Sequence, residues 1–294
     1  MSARRGPALI AWATVTVLAA SLLIGGGVWV SNVFKDAMAP RLSVGCKATV
    51  GENTYRMAVD QTQNAALISA ISLTRGLPAR AASIALATAL QESKLRNIDY
   101  GDMDSVGLFQ QRPSQDWGSV EQIMDPVYSA NAFYNALEKV PGYVDMPLND
   151  AAQIVQRSAY PHAYAQHEAP AKAFASALTG QSPAALNCTL APATPVSTPA
   201  ALEAAAHEVF GPIPFSSTST DSAATSKVQV TDANGWSVAQ WAVAHASAFG
   251  ITAVSYDGKR WDRNANDAGS NVGWQDSSEA GQGGTVTLVM AAGA

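Results

Sequence analysis

The sequence predicts a mainly α domain behind an N-terminal transmembrane helix, followed by a small α+β C-terminal module. Three observations carry that expectation. Residues 8–30 hold no charged side chain and follow a pair of arginines. Alanine supplies 56 of the 294 residues, much of it in runs of helical spacing, and alanine is the strongest helix former. Trp236, Trp241, Trp261 and Trp274 crowd one short stretch beside strand-like runs. Charged residues are 14% and hydrophobic residues 48%, which argues against a generally disordered chain. The net charge of −5 leaves no basic excess to neutralise phosphates, so nucleic acid is not an expected partner.

The chain begins with a short segment, 1–7, that carries Arg4 and Arg5. The apolar run 8–30 has the length that crosses a hydrocarbon core. Arginines before it place the N-terminus in the cytoplasm and the remainder outside. A single-pass cell-membrane location is therefore expected, with 31–45 as a stalk. A cleaved signal peptide is the alternative, but its apolar region spans only about 7–15 residues. The nearest small-residue cleavage pattern is Ala37-Met38-Ala39, and Pro40 follows it.

Cys46 and Cys188 are the only cysteines, and both fall on the expected outer side. An even count in an oxidising compartment reads as one disulfide; two free buried thiols are the alternative. Chain-entropy models give roughly 5 kcal/mol for a loop of this size.

Residues 46–188 form the expected first domain. Cys46 to Val59 suits a short hairpin around Gly51-Glu52-Asn53. Helical patterns then run over 61–74, 79–94, 126–139, 148–157 and 162–178, with Pro78 opening the second and Pro170 interrupting the last. Residues 189–226 are rich in Pro, Ser, Thr and Ala and read as a linker holding one short helix, 200–209. In the module 227–294, residues 236–249 read as helix, 251–256 as a strand, Asp257-Gly258 as a turn, 259–261 as its partner and 285–290 as a closing strand.

The helix over 79–94 is apolar almost all round and ends in Gln91-Glu92-Ser93. Such a helix is buried. A carboxylate at its C-terminal end is partly desolvated and meets the negative end of the helix dipole. Both effects raise its pKa, as a general acid near neutral pH requires. A polar, glycine-punctuated stretch follows: Asn97, Asp99, Gly101, Asp102, Asp104, Ser105, Gly107, then Leu108-Phe109-Gln110-Gln111-Arg112-Pro113. Loops of this kind place side chains around ligands. Trp117 offers a flat apolar face that suits a sugar ring. No alanine occurs between Ala89 and Ala130, so this segment stands apart from its alanine-rich surroundings.

Glu92-Ser93, Asn97, then Ser105-Val106-Gly107-Leu108-Phe109-Gln110 and Pro113 resemble the core signature of the lysozyme-like superfamily. The nearest pattern is that of soluble lytic transglycosylase domains of actinobacterial cell-envelope proteins, with a looser similarity to resuscitation-promoting factors. The resemblance covers roughly residues 85–115 and, more loosely, 46–188. It implies a lysozyme-like fold for that domain and cleavage of the β-1,4 glycosidic bond of peptidoglycan, with Glu92 as catalytic acid and then base. It also implies that Ser105 and Gln110 hold the glutamate and the substrate groove; Asn97, Gln111 and Trp117 join them as candidate substrate contacts. Peptidoglycan strands are thus the expected partner, and no cofactor or metal is expected. The sequence departs from the family at its A-Y-N-A-G stretch. The corresponding region reads Ala151 to Ser158, with Gln156 and the later Tyr160 as polar residues of no assigned role. This leaves open a transglycosylase, a hydrolase with a second carboxylate, and a non-catalytic wall-binding or scaffold protein.

Other candidates have plainer explanations. The Asp99, Asp102 and Asp104 spacing suits a solvated loop and lacks the glutamate of an EF-hand. His162, His167 and Glu168 do not share the spacing of a zinc helix. Phe133 and Tyr134 fall at core positions. The four clustered tryptophans and His245 suit the core of a small module, with a carbohydrate platform as the alternative.

Overall fold

The computed structural model describes residues 44–291 except 159, 161, 195–196, 268–269 and 281–283. The apolar run 8–30 and most of the stalk, and with them the expected transmembrane helix, lie outside the described residues. No helix among the described residues is long and apolar enough to cross a membrane.

A hairpin of β1 (Gly45–Val50) and β2 (Asn53–Met57) opens the fold. The helices α1 (Val59–Thr74) and α2 (Ala79–Ser93) follow, then α3 (Val120–Met124), α4 (Pro126–Leu137), α5 (Leu148–Gln156) and α6 (Glu168–Leu178). Strand β3 (Leu186–Thr189) returns to pair with β1, which completes a three-stranded antiparallel sheet in the order β2-β1-β3. Cys46 and Cys188 lie directly opposite in that pairing and form a disulfide. Pro170 falls within the first turn of α6, where its missing N–H costs no helical bond.

Helix α2 is the hub. Ala81, Ala82, Ala85, Ala87 and Ala89 are all fully buried. Their small side chains let α1, α4, α5 and α6 pack around it. This is why an almost featureless alanine run can fix the side chain at its end: its faces are occupied, so the position of Glu92 is set.

The second half of the chain corrects the expected fold class. After α7 (Pro199–Phe210) come β4 (Phe215–Ser219), β5 (Ala223–Gln229), α8 (Asp232–Ala244), α9 (Ala246–Phe249), β6 (Ile251–Tyr256), β7 (Lys259–Asp262), β8 (Trp274–Asp276) and β9 (Thr285–Ala291). The six strands form one antiparallel sheet in the order β4-β5-β9-β6-β7-β8. The expected linker 189–226 therefore supplies the last residue of β3, a helix, the whole of β4 and part of β5. The described residues form one compact unit with a continuous core. The described residues are α+β throughout, with two antiparallel sheets, rather than a mainly α lysozyme-like domain followed by a small separate module.

Helix α8 joins the halves. It packs on α1, α6 and β3 as well as on β6. Its fully buried Gln240 accepts from Leu186 N at 2.7 Å and donates to Ala177 O at 2.6 Å and Ser182 O at 3.1 Å. Trp261 Nε1 donates to Asn187 Oδ1 at 2.8 Å and Trp274 Nε1 to Leu186 O at 2.9 Å. Both indoles thus anchor the large sheet to β3. All four clustered tryptophans are buried, so none offers an exposed sugar platform. His245 stacks on Trp241 at 4.4 Å between ring centres, and burial pushes its pKa down to about 4.

Candidate active site

Glu92 sits in the last turn of α2, half-buried. The helix ends abruptly because Lys94 and Leu95 both take left-handed backbone angles, with φ of 55° and 57°. Leu95 N then donates to Ala89 O at 2.9 Å and Lys94 N to Leu90 O at 3.1 Å, which satisfies carbonyls that a helix end leaves open. Leu95 is fully buried and holds this turn down.

The polar loop folds back over that end. Ser93 Oγ donates to Leu108 O at 2.7 Å. Val106 and Gln111 form an isolated antiparallel bridge, with both N–H···O distances 3.0 Å. Between them, Leu108 and Phe109 plunge into the core, where Phe109 stacks on Phe133 at 4.6 Å. Gly107, at φ 80°, has no room for a side chain: a Cβ would lie 2.8 Å from Ile123 O. Gly101 is packed so closely that a Cβ would lie 1.9 Å from Gln110 Oε1 and 2.6 Å from Ser105 O. The S-x-G-L-x-Q stretch is thus a tight, core-anchored loop.

An open cleft of about 1280 Å³ runs across this region. Glu92, Ser105, Gln110, Gln111 and Trp117 all line it. Ser105 and Gln111 are buried beneath its surface, and Gln111 Nε2 donates to Ser129 O at 3.2 Å. Gln110 Nε2 donates to Tyr100 O at 3.2 Å and Gly107 O at 3.3 Å, so it braces the loop from within. Asn97 does not line the cleft. Its Nδ2 donates to Met124 O at 2.7 Å and ties the loop to the end of α3.

Two residues without a role in the sequence pattern complete the setting of Glu92. Tyr164, fully buried, donates its hydroxyl to Glu92 Oε1 at 2.7 Å. Gln156, the last residue of α5, lines the cleft with Glu92 and favours the charged form of its carboxyl, and its Nε2 donates to Phe109 O at 2.8 Å. Burial raises the Glu92 pKa above the ordinary glutamate value, and the Tyr164 bond, with the nearby Gln156 amide, partly opposes the rise. Gln156 lies in the region that lacks the family's A-Y-N-A-G stretch, so polarity alone signalled it. Nothing in local spacing marked Tyr164, which lies 72 residues from Glu92. Tyr160 stands exposed at the cleft rim.

The loop aspartates differ in their surroundings. Arg112 Nε donates to Asp104 Oδ1 at 2.8 Å and Ser114 N to Asp104 Oδ2 at 2.8 Å, which holds that carboxyl well below the usual range. Asp99 is exposed, and Asp102 lines the cleft. His167 Nε2 is hydrogen-bonded to Gln91 Oε1 at 3.0 Å, and burial lowers its pKa. Among the described residues, no group of three or more His, Cys, Asp or Glu side chains is placed to hold a metal ion.

No protein-family model matches the sequence, and no curated protein matches it. The chemistry therefore has to be read from the site. A half-buried carboxyl with a raised pKa, bonded to a phenol and opening on a cleft, is equipped to hand a proton to a bound ligand and take one back.

Proposed function

We propose that this protein cleaves the β-1,4 glycosidic bond of peptidoglycan strands, with Glu92 as general acid and then general base. The observation that carries this is the Glu92 carboxyl itself: desolvated at a buried helix end, bonded to Tyr164 beside Gln156, and opening on a cleft of about 1280 Å³. The proton on Glu92 passes to the leaving O4 oxygen as the C1–O4 bond breaks. Tyr164 and Gln156 stabilise the carboxylate that remains. That carboxylate then takes the proton of the sugar's own C6 hydroxyl as C1–O6 forms, which gives a 1,6-anhydro end and returns Glu92 to its acid form. No water is consumed.

The transglycosylase route needs only one carboxylate, and Glu92 supplies it. A hydrolytic route would recruit a second acid from the loop, where Asp104 is committed to Arg112 and Ser114 but Asp102 and Asp116 line the cleft. The disulfide suits an oxidising, extracytoplasmic compartment, where peptidoglycan is found. The wall-binding alternative drew on the missing A-Y-N-A-G stretch and on the tryptophan-rich tail, whose indoles are buried.

The test is to incubate the purified protein with peptidoglycan and weigh the released muropeptides. Anhydro products from the wild type and none from Glu92→Gln are expected. Reducing-end products would replace the transglycosylase route with hydrolysis. No release by the wild type would overturn the enzyme.

A further inference from the structure

Three cations line the cleft: Arg112, Lys139 and Arg157. Arg112 is spent on Asp104, at 2.8 Å. Among the described residues, no carboxylate lies within ion-pair distance of Lys139 or Arg157. In a chain of net charge −5, two unneutralised cations in one recess run against the average surface.

Their placement adds to this. The cleft's acids other than Glu92 are Asp102 and Asp116, both on the loop between α2 and α3. Arg157 and Lys139 come from other elements, just beyond the C-terminal ends of α5 and α4. The cations without an ion-pair partner thus come from outside the acidic loop, while Arg112, on that loop, is paired. Arg157 follows Gln156 directly, and both line the same cleft as Glu92. It caps α5 with φ 52° and ψ 39°. Glycine is the unstrained residue for that cap, so an arginine there brings charge at the cost of backbone strain.

We infer that Arg157, assisted by Lys139, selects glycan strands that carry carboxylate groups beside the bond to be cleaved. This rests on the cleft being a glycan site. A guanidinium binds a carboxylate through paired, charge-assisted hydrogen bonds. Peptidoglycan offers that group from two sources: the lactyl carboxylate of a muramic acid without its peptide, or the carboxylates of an attached peptide stem. A neutral polymer of N-acetylglucosamine offers neither.

The experiment uses the full chain carrying Glu92→Gln, so that strands bind without turnover. Calorimetry would compare chitotetraose, muramyl tetrasaccharides stripped of peptide, and peptide-bearing muropeptide dimers. At least tenfold tighter binding of one or both anionic sets is expected, and which set binds identifies the carboxylate. Adding Arg157→Ala should cut that preference below threefold while leaving chitotetraose affinity unchanged, and Arg157→Lys should keep part of it. Arg157→Gly removes the charge and relieves the backbone, so it should melt no lower than its parent yet lose the preference. Equal affinity for all three saccharides overturns the inference and leaves the glycosidase proposal standing. So does a preference that survives Arg157→Ala combined with Lys139→Ala. Failure to bind any saccharide overturns both.

Discussion

Replacing Tyr164 by phenylalanine removes one oxygen and keeps the buried ring. The lost hydroxyl donates to Glu92 Oε1 at 2.7 Å. A hydrogen bond to an ionised group contributes about 1.5–3 kcal/mol, against about 0.5–1.5 kcal/mol between neutral groups. The difference, about 1–1.5 kcal/mol, is what Tyr164 offers to the carboxylate over the acid. It is realised as the proton leaves Glu92, so its loss should lower kcat about five- to tenfold and barely alter KM. The pH profile provides the specific signature. The phenol favours the charged form and opposes the rise caused by burial; without it the Glu92 pKa rises further. The alkaline limb of kcat, where the general acid loses its proton, should move to higher pH. A kcat within twofold of wild type with an unmoved alkaline limb, or a limb moved to lower pH, would refute this role for Tyr164.

Glu92→Gln should stabilise the fold at neutral pH. Because the folded-state pKa is raised, the folded chain binds more protons than the unfolded one between the ordinary glutamate value and the raised one. Stability contributed by this group is present at low pH and falls as pH rises through that window, so the gain in melting temperature should be seen at pH 7 and vanish below about pH 4. Gln240→Leu strands the buried Leu186 N–H and the Ser182 carbonyl, while the Ala177 carbonyl keeps its bond from Gly180 N at 2.9 Å. At about 1–3 kcal/mol for each of the two groups left unsatisfied, urea unfolding should show a loss of about 2–5 kcal/mol in a single transition shared by both halves; separate transitions would show that the sheets fold independently. Gly101→Ala places a methyl 1.9 Å from Gln110 Oε1 and 2.6 Å from Ser105 O. It should displace the loop and cut activity at least tenfold, with a change in melting temperature smaller than that of Gln240→Leu.

Much of the first half of the fold was legible because its helices carry strong periodicity and clear stops. Expected helices at 79–94 and 148–157 match α2 and α5 to within a residue, since Pro78 precedes the first and an abrupt polar change ends both. The strand 251–256 and its Asp257-Gly258 turn were legible for the same kind of reason. The sheet from 215 to 229 was hidden by its residues. In β5 the buried side of the alternation is Ala224, Ser226 and Val228, two of them small and one polar. In β4 most side chains are exposed serine and threonine, as an edge strand permits. Small and hydroxylated residues read as a linker when no neighbouring strand is known. At the cleft, local order along the chain disclosed Glu92 and the S-x-G-L-x-Q loop. Asn97 was mistaken for a substrate contact because its position in the pattern does not reveal that its amide is used on Met124. Tyr164 could be found only through the folding of α6 back onto α2.

The most direct test of Glu92 as the acid and base of a peptidoglycan transglycosylase is mass analysis of muropeptides released by wild-type protein and by Glu92→Gln. The site predicts 1,6-anhydro muropeptides from the wild type and at least a thousandfold less from the variant, roughly the contribution of a positioned general acid and base. Equal release from both proteins, or none from the wild type, would contradict it.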